Sequence, residues 1–174
     1  MEECASLEKQ RALHLEDFKM SHIHVQTEQV VAARPEEVWA FLTDYRNKRP
    51  QILTNNFLNY TVEKGGTGAG TVISYHLHAA NRERFYRMLV SEPSRGKVLT
   101  ERDEGSSLVT TWTLTPTENN QQTRVQLSTD WEGGKGIGGF FEKTFAPMGL
   151  RRIYEEMLGK LAAVYAGGGS ATKV

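Results

Sequence analysis

The strongest constraint in this sequence is a run of apolar and polar residues that alternate with a period of two. The run extends from residue 57 to residue 131, in six stretches separated by turn-forming residues. Each stretch is typical of a β-strand with one buried face. Because the connections are short, consecutive strands are expected to pair as antiparallel neighbours. The six predicted strands are 57–64, 71–79, 82–92, 98–103, 107–115 and 123–131.

Three elements are predicted before this meander. Residues 22–32 are rich in Val, Ile and Thr and predict a first strand. Residues 33–42 predict a short helix, because Pro35 suits a first helical turn and apolar residues follow at helical spacing. A second short helix is expected near residues 49–54.

A long helix is predicted after the meander, at residues 140–166, with a kink or a restart at Pro147. A meander of this length must bury one face, and only this helix is long enough to cover it. The expected fold is α+β: a seven-stranded curved antiparallel sheet wrapped around a long C-terminal helix, with two short helices between strands 1 and 2. A curved sheet closed by one helix leaves space for a small ligand.

The length of 174 residues fits one domain of ordinary size. Residues 1–20 are expected to be an extension, helical or disordered, residues 21–166 the domain, and residues 167–174 a flexible tail. Met20 directly precedes the first clear strand, which suggests it as the natural start position.

Composition and charge exclude several classes of protein. Lys and Arg total 21, as do Asp and Glu, so the net charge is zero and no nucleic-acid partner is expected. No apolar run reaches the roughly 18 residues of a membrane span, so no integral membrane segment is expected. The single cysteine, Cys4, fits a reducing compartment, and the first residues lack the features of a signal peptide. A cytoplasmic location follows as an expectation.

The chain resembles the START-like or SRPBCC superfamily, which includes polyketide cyclases and lipid binders of the birch-pollen-allergen type. The resemblance covers residues 22–166. It is carried by the segment ARPEEVWAFLTD at 33–44, the glycine turn 65–71, Glu92-Pro93, residues 123–125 and the terminal helix. The resemblance implies the helix-grip fold. It implies no single function, because a fold hosts many functions.

The inner face of each strand is assigned from its apolar content and from the register that the resemblance implies. The ligand-binding candidates on this face and on the helix are Ile73, Tyr75, Leu77, Arg84, Tyr86, Met88, Thr110, Trp112, Leu127, Thr129, Trp131, Phe141, Phe145 and Met148. The aromatic members indicate either a pocket with phenol and indole groups or a core filled by its own side chains. Arg84 is either an anchor for a carboxylate or phosphate, or a surface arginine.

Two other sets of residues are candidates for a metal site or for acid–base catalysis. The pairs His22/His24 and His76/His78 each share a strand face, but both lie on the face assigned as outer, so no metal is expected. Glu101 and Asp103 share a face of the fifth strand, whose inner side is ambiguous. Paired carboxylates pointing inward would serve as acid and base, but exposed, solvated side chains are expected here. No catalytic residue and no cofactor are assigned.

The function expected from these features is the binding or carriage of a small hydrophobic molecule, such as a lipid, an isoprenoid or a polyketide-like aromatic. The alternative is a cyclase, aromatase or dehydratase that uses the same cavity, with Tyr75, Tyr86 and Arg84 as the groups to test. A third reading is a protein-binding module or homodimer. It would use an apolar strip on the outer face of the helix, formed by Leu150, Tyr154 and Leu158.

Overall fold

The computed structural model describes residues 21–79, 82–133 and 146–167. The expected N-terminal extension, most of the C-terminal tail, and Phe141 and Phe145 lie outside these residues. In the described part of the chain, no helix has the length and apolarity needed to cross a bilayer.

The described residues form one seven-stranded antiparallel sheet and a long C-terminal helix, which confirms the helix-grip fold. The strands are β1 (Ser21–Val31), β2 (Phe57–Lys64), β3 (Val72–Ala79), β4 (Arg82–Ser94), β5 (Val98–Asp103), β6 (Val109–Thr117) and β7 (Gln122–Gly133). Their order is β1-β7-β6-β5-β4-β3-β2, so the first strand pairs with the last and the meander fills the rest.

Two short helices join β1 to β2. The helix α1 spans Pro35–Leu42, and a 3-10 helix spans Arg49–Ile52. Pro35 occupies the first turn of α1, where its missing N–H has no intrahelical partner to lose. The Glu37 carboxylate accepts a hydrogen bond from the Arg34 backbone N–H at 3.0 Å and so satisfies a free donor at the helix start.

Alternation along the strands separates a buried inner face from a more exposed outer face. On β6, Thr110, Trp112 and Leu114 are buried. Thr115, on the opposite face, is exposed. The same alternation buries Glu101 and Asp103 on β5. The expectation that these two carboxylates are solvated is therefore wrong, because they share the inner face with Leu99.

The C-terminal helix α2 spans Ala146–Ala166 and packs mainly against β1. Pro147 is the second residue of α2 and lies in its first turn, where proline is tolerated, and residues 134–145 lie outside the described part of the chain. Leu150, Tyr154 and Leu158 are buried, so the prediction of an outer apolar strip is wrong. Met148 was expected to face inward but is 61% exposed.

A glycine turn between β2 and β3 holds the loop that follows α1. Gly66 has a φ of 131°, and an added Cβ there would lie 2.3 Å from Arg46 Nε, so the position requires glycine. The Gly66 carbonyl accepts the Tyr45 backbone N–H at 2.9 Å, and the Gly68 N–H donates to the Thr43 carbonyl at 3.0 Å. These contacts hold Tyr45 against the inner face of the sheet.

Candidate functional site

A cavity lies between the inner face of the sheet, the 3-10 helix and α2. Its lining residues are Arg49, Leu53, Phe57, Tyr60, Ile73, Tyr75, Glu101, Thr110, Trp112, Leu127, Tyr154 and Met157. The space among these side chains is about 360 Å³, including the part open to solvent. The cavity volume comparable with those of other protein cavities is about 20 Å³, which gives room for only one or two water molecules.

A buried ion pair joins the loop after α1 to the sheet. Arg49 Nη2 lies 2.5 Å from Glu101 Oε1, and the two side chains are 3% and 7% exposed. The Tyr45 hydroxyl donates to the same Oε1 at 2.8 Å. Since both charges are removed from water, each depends on the other and on these hydrogen bonds for its stability.

Local backbone structure delivers Arg49 into the cavity. Asp44 caps the loop by accepting the backbone N–H of Asn47 at 2.9 Å, and its carbonyl accepts the Arg49 N–H at 2.8 Å. The Arg49 side chain then donates to the Leu42 carbonyl at 3.3 Å. These bonds fix the direction of the guanidinium toward β5.

The guanidinium of Arg49 also lies over the ring of Trp112, 4.0 Å from its centroid, in a cation–π contact. The indole N–H of Trp112 is buried and has no hydrogen-bond partner among the described residues. An unmade hydrogen bond on a buried donor is costly, so this group has the capacity to bind an acceptor.

Phenol hydroxyls form a second polar feature of the cavity wall. Burial raises the pKa of Tyr75 and Tyr60 well above the ordinary value, and it raises the pKa of Tyr154 to about 12. The Tyr154 hydroxyl hydrogen-bonds Thr129 Oγ1, which lies 2.8 Å from Thr110 Oγ1. The phenols are therefore neutral at physiological pH, and this hydroxyl chain connects α2 to β6 and β7.

A separate polar cluster lies on the inner face where β5 ends. Asp103 accepts the Ser106 hydroxyl at 2.6 Å and the Arg87 backbone N–H at 3.2 Å. Arg84 Nη2 lies 3.9 Å from Asp103, and its side chain is 50% exposed. Its guanidinium also lies 5.0 Å from the centroid of the Tyr86 ring. Arg84 is thus a half-exposed arginine beside a carboxylate and does not line the cavity.

The structure brings together part of the set expected from sequence. Ile73, Tyr75, Thr110, Trp112 and Leu127 line the cavity. Other expected residues do not line it: Leu77, Arg84, Tyr86, Met88, Thr129, Trp131 and Met148. Whether any of these residues binds a ligand stays a prediction.

Sequence reasoning missed Arg49 and Glu101, the charged residues that line the cavity in the described part of the chain. Leu99, Glu101 and Asp103 alternate on one side of β5, and the apolar Leu99 was the signal that this side is the inner one. The inward direction of Arg49 could not be predicted, because a helix of four residues is too short for its sequence pattern to distinguish a buried face from an exposed one. The aromatic lining residues Phe57, Tyr60 and Tyr154 were also missed.

The two histidine pairs lie away from the cavity. His22 and His24 both contact Asp130 Oδ1, at 2.9 and 2.8 Å, and His76 contacts Glu83 at 2.5 Å. Within residues 21–79, 82–133 and 146–167, no group of three or more His, Cys, Asp or Glu side chains is arranged to hold a metal ion.

Comparisons with known proteins agree with this architecture. The sequence model described as polyketide cyclase / dehydrase and lipid transport matches residues 22–166. No curated protein matches the chain significantly.

Solved structures show the same fold. The NMR structure of the KanY protein is 38% identical, covers 85% of this chain and 100% of its own, and superposes with a TM-score of 0.74. The Zhui aromatase/cyclase from Streptomyces sp. R1128 is 15% identical, with coverage of 87% and 100% and a TM-score of 0.70. A START superfamily protein from Mycobacterium smegmatis is 12% identical, with coverage of 84% and 99% and a TM-score of 0.64.

Proposed function

Because the chain belongs to the polyketide cyclase / dehydrase and lipid transport family, we propose that it binds a small hydrophobic molecule in the cavity between the sheet and α2. The observation that most supports this is a largely apolar and aromatic wall, in which the two charged side chains among the described residues pair with each other. Charges that are already paired leave the apolar wall as the main source of binding free energy.

Ligand entry requires side chains to move, because the cavity has room for only one or two water molecules. Leu53, Phe57 and Tyr60 line the cavity and are only partly buried, so they are the side chains nearest solvent. We infer that these three rotate aside when a ligand enters. Rotamer changes of this kind are common on binding.

Binding is tested with N-phenyl-1-naphthylamine, a neutral fluorophore that brightens in apolar surroundings. Ile73→Phe should fill part of the cavity and abolish the fluorescence increase, because Ile73 lines the wall. Thr115→Phe adds a ring to the exposed outer face of β6 and should leave binding unchanged. Melting curves of both variants check that each is folded.

Two results would refute the proposal. One is the absence of binding by the unsubstituted protein to any neutral apolar probe. The other is equal binding by the Ile73→Phe and Thr115→Phe variants, which would place the probe outside the cavity. Native mass spectrometry of protein purified from its own cells then identifies the molecule that co-purifies.

A second candidate function is a cyclase, aromatase or dehydratase reaction in the same cavity. It is favoured by one observation: the Glu101 carboxylate faces the cavity and is hydrogen-bonded to the Tyr45 hydroxyl at 2.8 Å. A positioned carboxylate takes a proton from a carbon beside a carbonyl, and a neutral phenol of the cavity wall, such as Tyr75, donates one to the carbonyl oxygen.

The enzyme reading is tested by incubating the protein with a synthetic poly-β-ketone and following cyclised product by mass spectrometry. Glu101→Gln should abolish product formation while the fluorophore still binds. Product formed at the same rate by this variant would remove Glu101 from any catalytic role. Absence of product from the unsubstituted protein would leave the binding function alone in place.

A further inference from the structure

The charges around the cavity are balanced. Arg49 and Glu101 are the charged side chains among the described residues that line it, and they form one ion pair at 2.5 Å. The nearby Arg84 and Asp103, which do not line it, also face each other, at 3.9 Å. The described wall therefore presents one positive and one negative charge, both already engaged.

The phenols do not change this balance. Burial raises the pKa of Tyr60, Tyr75 and Tyr154 above the ordinary value, so all three are neutral at physiological pH. A neutral phenol offers a hydrogen-bond donor and an acceptor without charge. The described lining thus combines neutral polar groups with a self-compensated ion pair.

A carboxylate ligand would upset this arrangement. It would compete with Glu101 for the Arg49 guanidinium and leave two carboxylates against one cation in a site shielded from water. An uncompensated buried charge costs much more free energy than a buried neutral polar group. A free arginine in an apolar cavity would attract an anion, but Arg49 is not free, since Glu101 accepts from it directly.

Trp112 provides a hydrogen-bond donor that favours a ligand with an acceptor oxygen. Its indole N–H is buried and lacks a hydrogen-bond partner within the described part of the chain, and its side chain lines the cavity. An indole N–H only donates, so it matches an acceptor oxygen on a ligand. A buried donor without a partner costs the full free energy of its desolvation. A hydrogen bond to the ligand oxygen would remove this cost.

Building on the function proposed above, we propose that the cavity selects an uncharged ligand that carries an acceptor oxygen, such as a ketone, over a carboxylate of the same shape. Trp112 donates to that oxygen, and the Arg49–Glu101 pair excludes the anion. The ligand class is therefore neutral oxygenated hydrophobic molecules, such as aromatic ketones, and not free fatty or aromatic acids.

Three probes of similar size separate these contributions: acetophenone, benzoate and toluene. Their dissociation constants are measured at pH 7 by NMR titration of the isotope-labelled protein, following the indole N–H signal of Trp112 as well as backbone signals. Trp112→Phe identifies that signal, because Trp39 and Trp131 keep theirs. Acetophenone should bind at least about tenfold more tightly than benzoate and shift the indole signal, whereas toluene should bind without shifting it downfield.

The Glu101→Gln variant should reverse the discrimination against benzoate. Loss of the negative charge leaves Arg49 uncompensated, so benzoate should gain affinity by about tenfold or more and acetophenone should change little. If this variant does not fold, the ranking of the three probes by the unsubstituted protein decides the matter alone. Trp112→Phe should weaken acetophenone and leave toluene unchanged.

The outcomes distinguish this proposal from the one on which it rests. Failure of all three probes to bind would overturn both. Toluene binding together with benzoate binding as tightly as acetophenone would overturn the charge selection alone. Acetophenone binding with no change at the Trp112 indole signal would overturn the role of that N–H.

Discussion

Arg49 and Glu101 form a buried ion pair in which each charge depends on the other. They lie 52 positions apart in sequence and meet in a site where both are almost completely shielded from bulk water. A buried pair contributes little net stability compared with an apolar replacement, but removing one partner is strongly destabilising. The pair therefore makes the loop after α1 and the strand β5 depend on each other.

Arg49→Met should lower the free energy of unfolding by about 3–5 kcal/mol, because Glu101 is left buried without its partner. The double variant Arg49→Met/Glu101→Leu should recover most of this loss. Urea unfolding measures both. Arg151→Met is the control: its pair with Glu155, at 3.3 Å, is exposed on α2, so the change should stay within about 0.5 kcal/mol. An equal loss in the single and double variants would contradict the argument.

A second residue-scale prediction concerns His24 on the outer face of β1. The hydrogen bond to Asp130 raises the pKa of His24 above its ordinary value of 6.5. A raised histidine pKa means that the contact stabilises the fold below pH 6.5 and that this contribution is lost as pH rises through the folded-state pKa. Asp130→Asn should bring the pKa of His24 down, as measured by NMR titration of the imidazole. An unchanged titration curve would show that Asp130 does not set it.

Single residues are also where the sequence was least informative. Strand alternation correctly placed Ile73, Tyr75 and Trp112 on the inner face of the sheet, because the strand that carries each of them has one mainly apolar side. Glu101 was assigned to solvent because its charge was taken as evidence of exposure. Its partner lies in a different local element, and nothing in a local pattern reveals a compensating charge 52 positions away.

At the scale of elements, helical spacing was applied incorrectly at the start of α2, where Met148 was assigned to the wrong face. Met148 was expected to face inward, but it lies five residues before Ile153, which is buried. At about 100° per residue, five residues turn the side chain about 140° away from the starting face. The buried face of α2 is wide, because it contains Ile153, Met157 and Leu161 as well as Leu150, Tyr154 and Leu158.

Leu158→Ala should therefore destabilise the protein by about 2–5 kcal/mol, because Leu158 is 1% exposed. Met148→Ala, at the exposed position, should change the free energy of unfolding by no more than about 0.5 kcal/mol. Chemical unfolding of the two variants gives the comparison. The opposite ranking would mean that α2 presents its other face to the sheet.

At the scale of the whole molecule, the order of elements was the most predictable property. Turn residues and the period of two placed every strand of the meander to within a few residues, since both signals are local. The ends differ where β4 and β6 continue past Pro93 and Pro116. The size of the cavity was not predictable, because it depends on how rings from distant strands pack against each other.

Buried phenols link the stability of the whole molecule to alkaline pH. The pKa of Tyr154 is raised to about 12, and that of Tyr45 well above 10, mainly by burial. The unfolded chain then releases these protons first, so stability is complete below pH 10 and falls as pH rises from there through the folded-state pKa. Urea midpoints from pH 8 to pH 11 should decline, and Tyr154→Phe should make the decline less steep. A slope unaffected by this change would contradict the assignment.

The pairing of β1 with β7 has a consequence for biosynthesis. His22 and Asp130, 108 positions apart, lie on strands that are direct neighbours in the sheet. During translation, β1 leaves the ribosome long before its partner exists, and its apolar residues Ile23, Val25 and Val31 stay without their final cover. Contacts between such distant positions form slowly. The nascent chain is therefore most exposed to aggregation, and most in need of chaperones, until β7 has emerged.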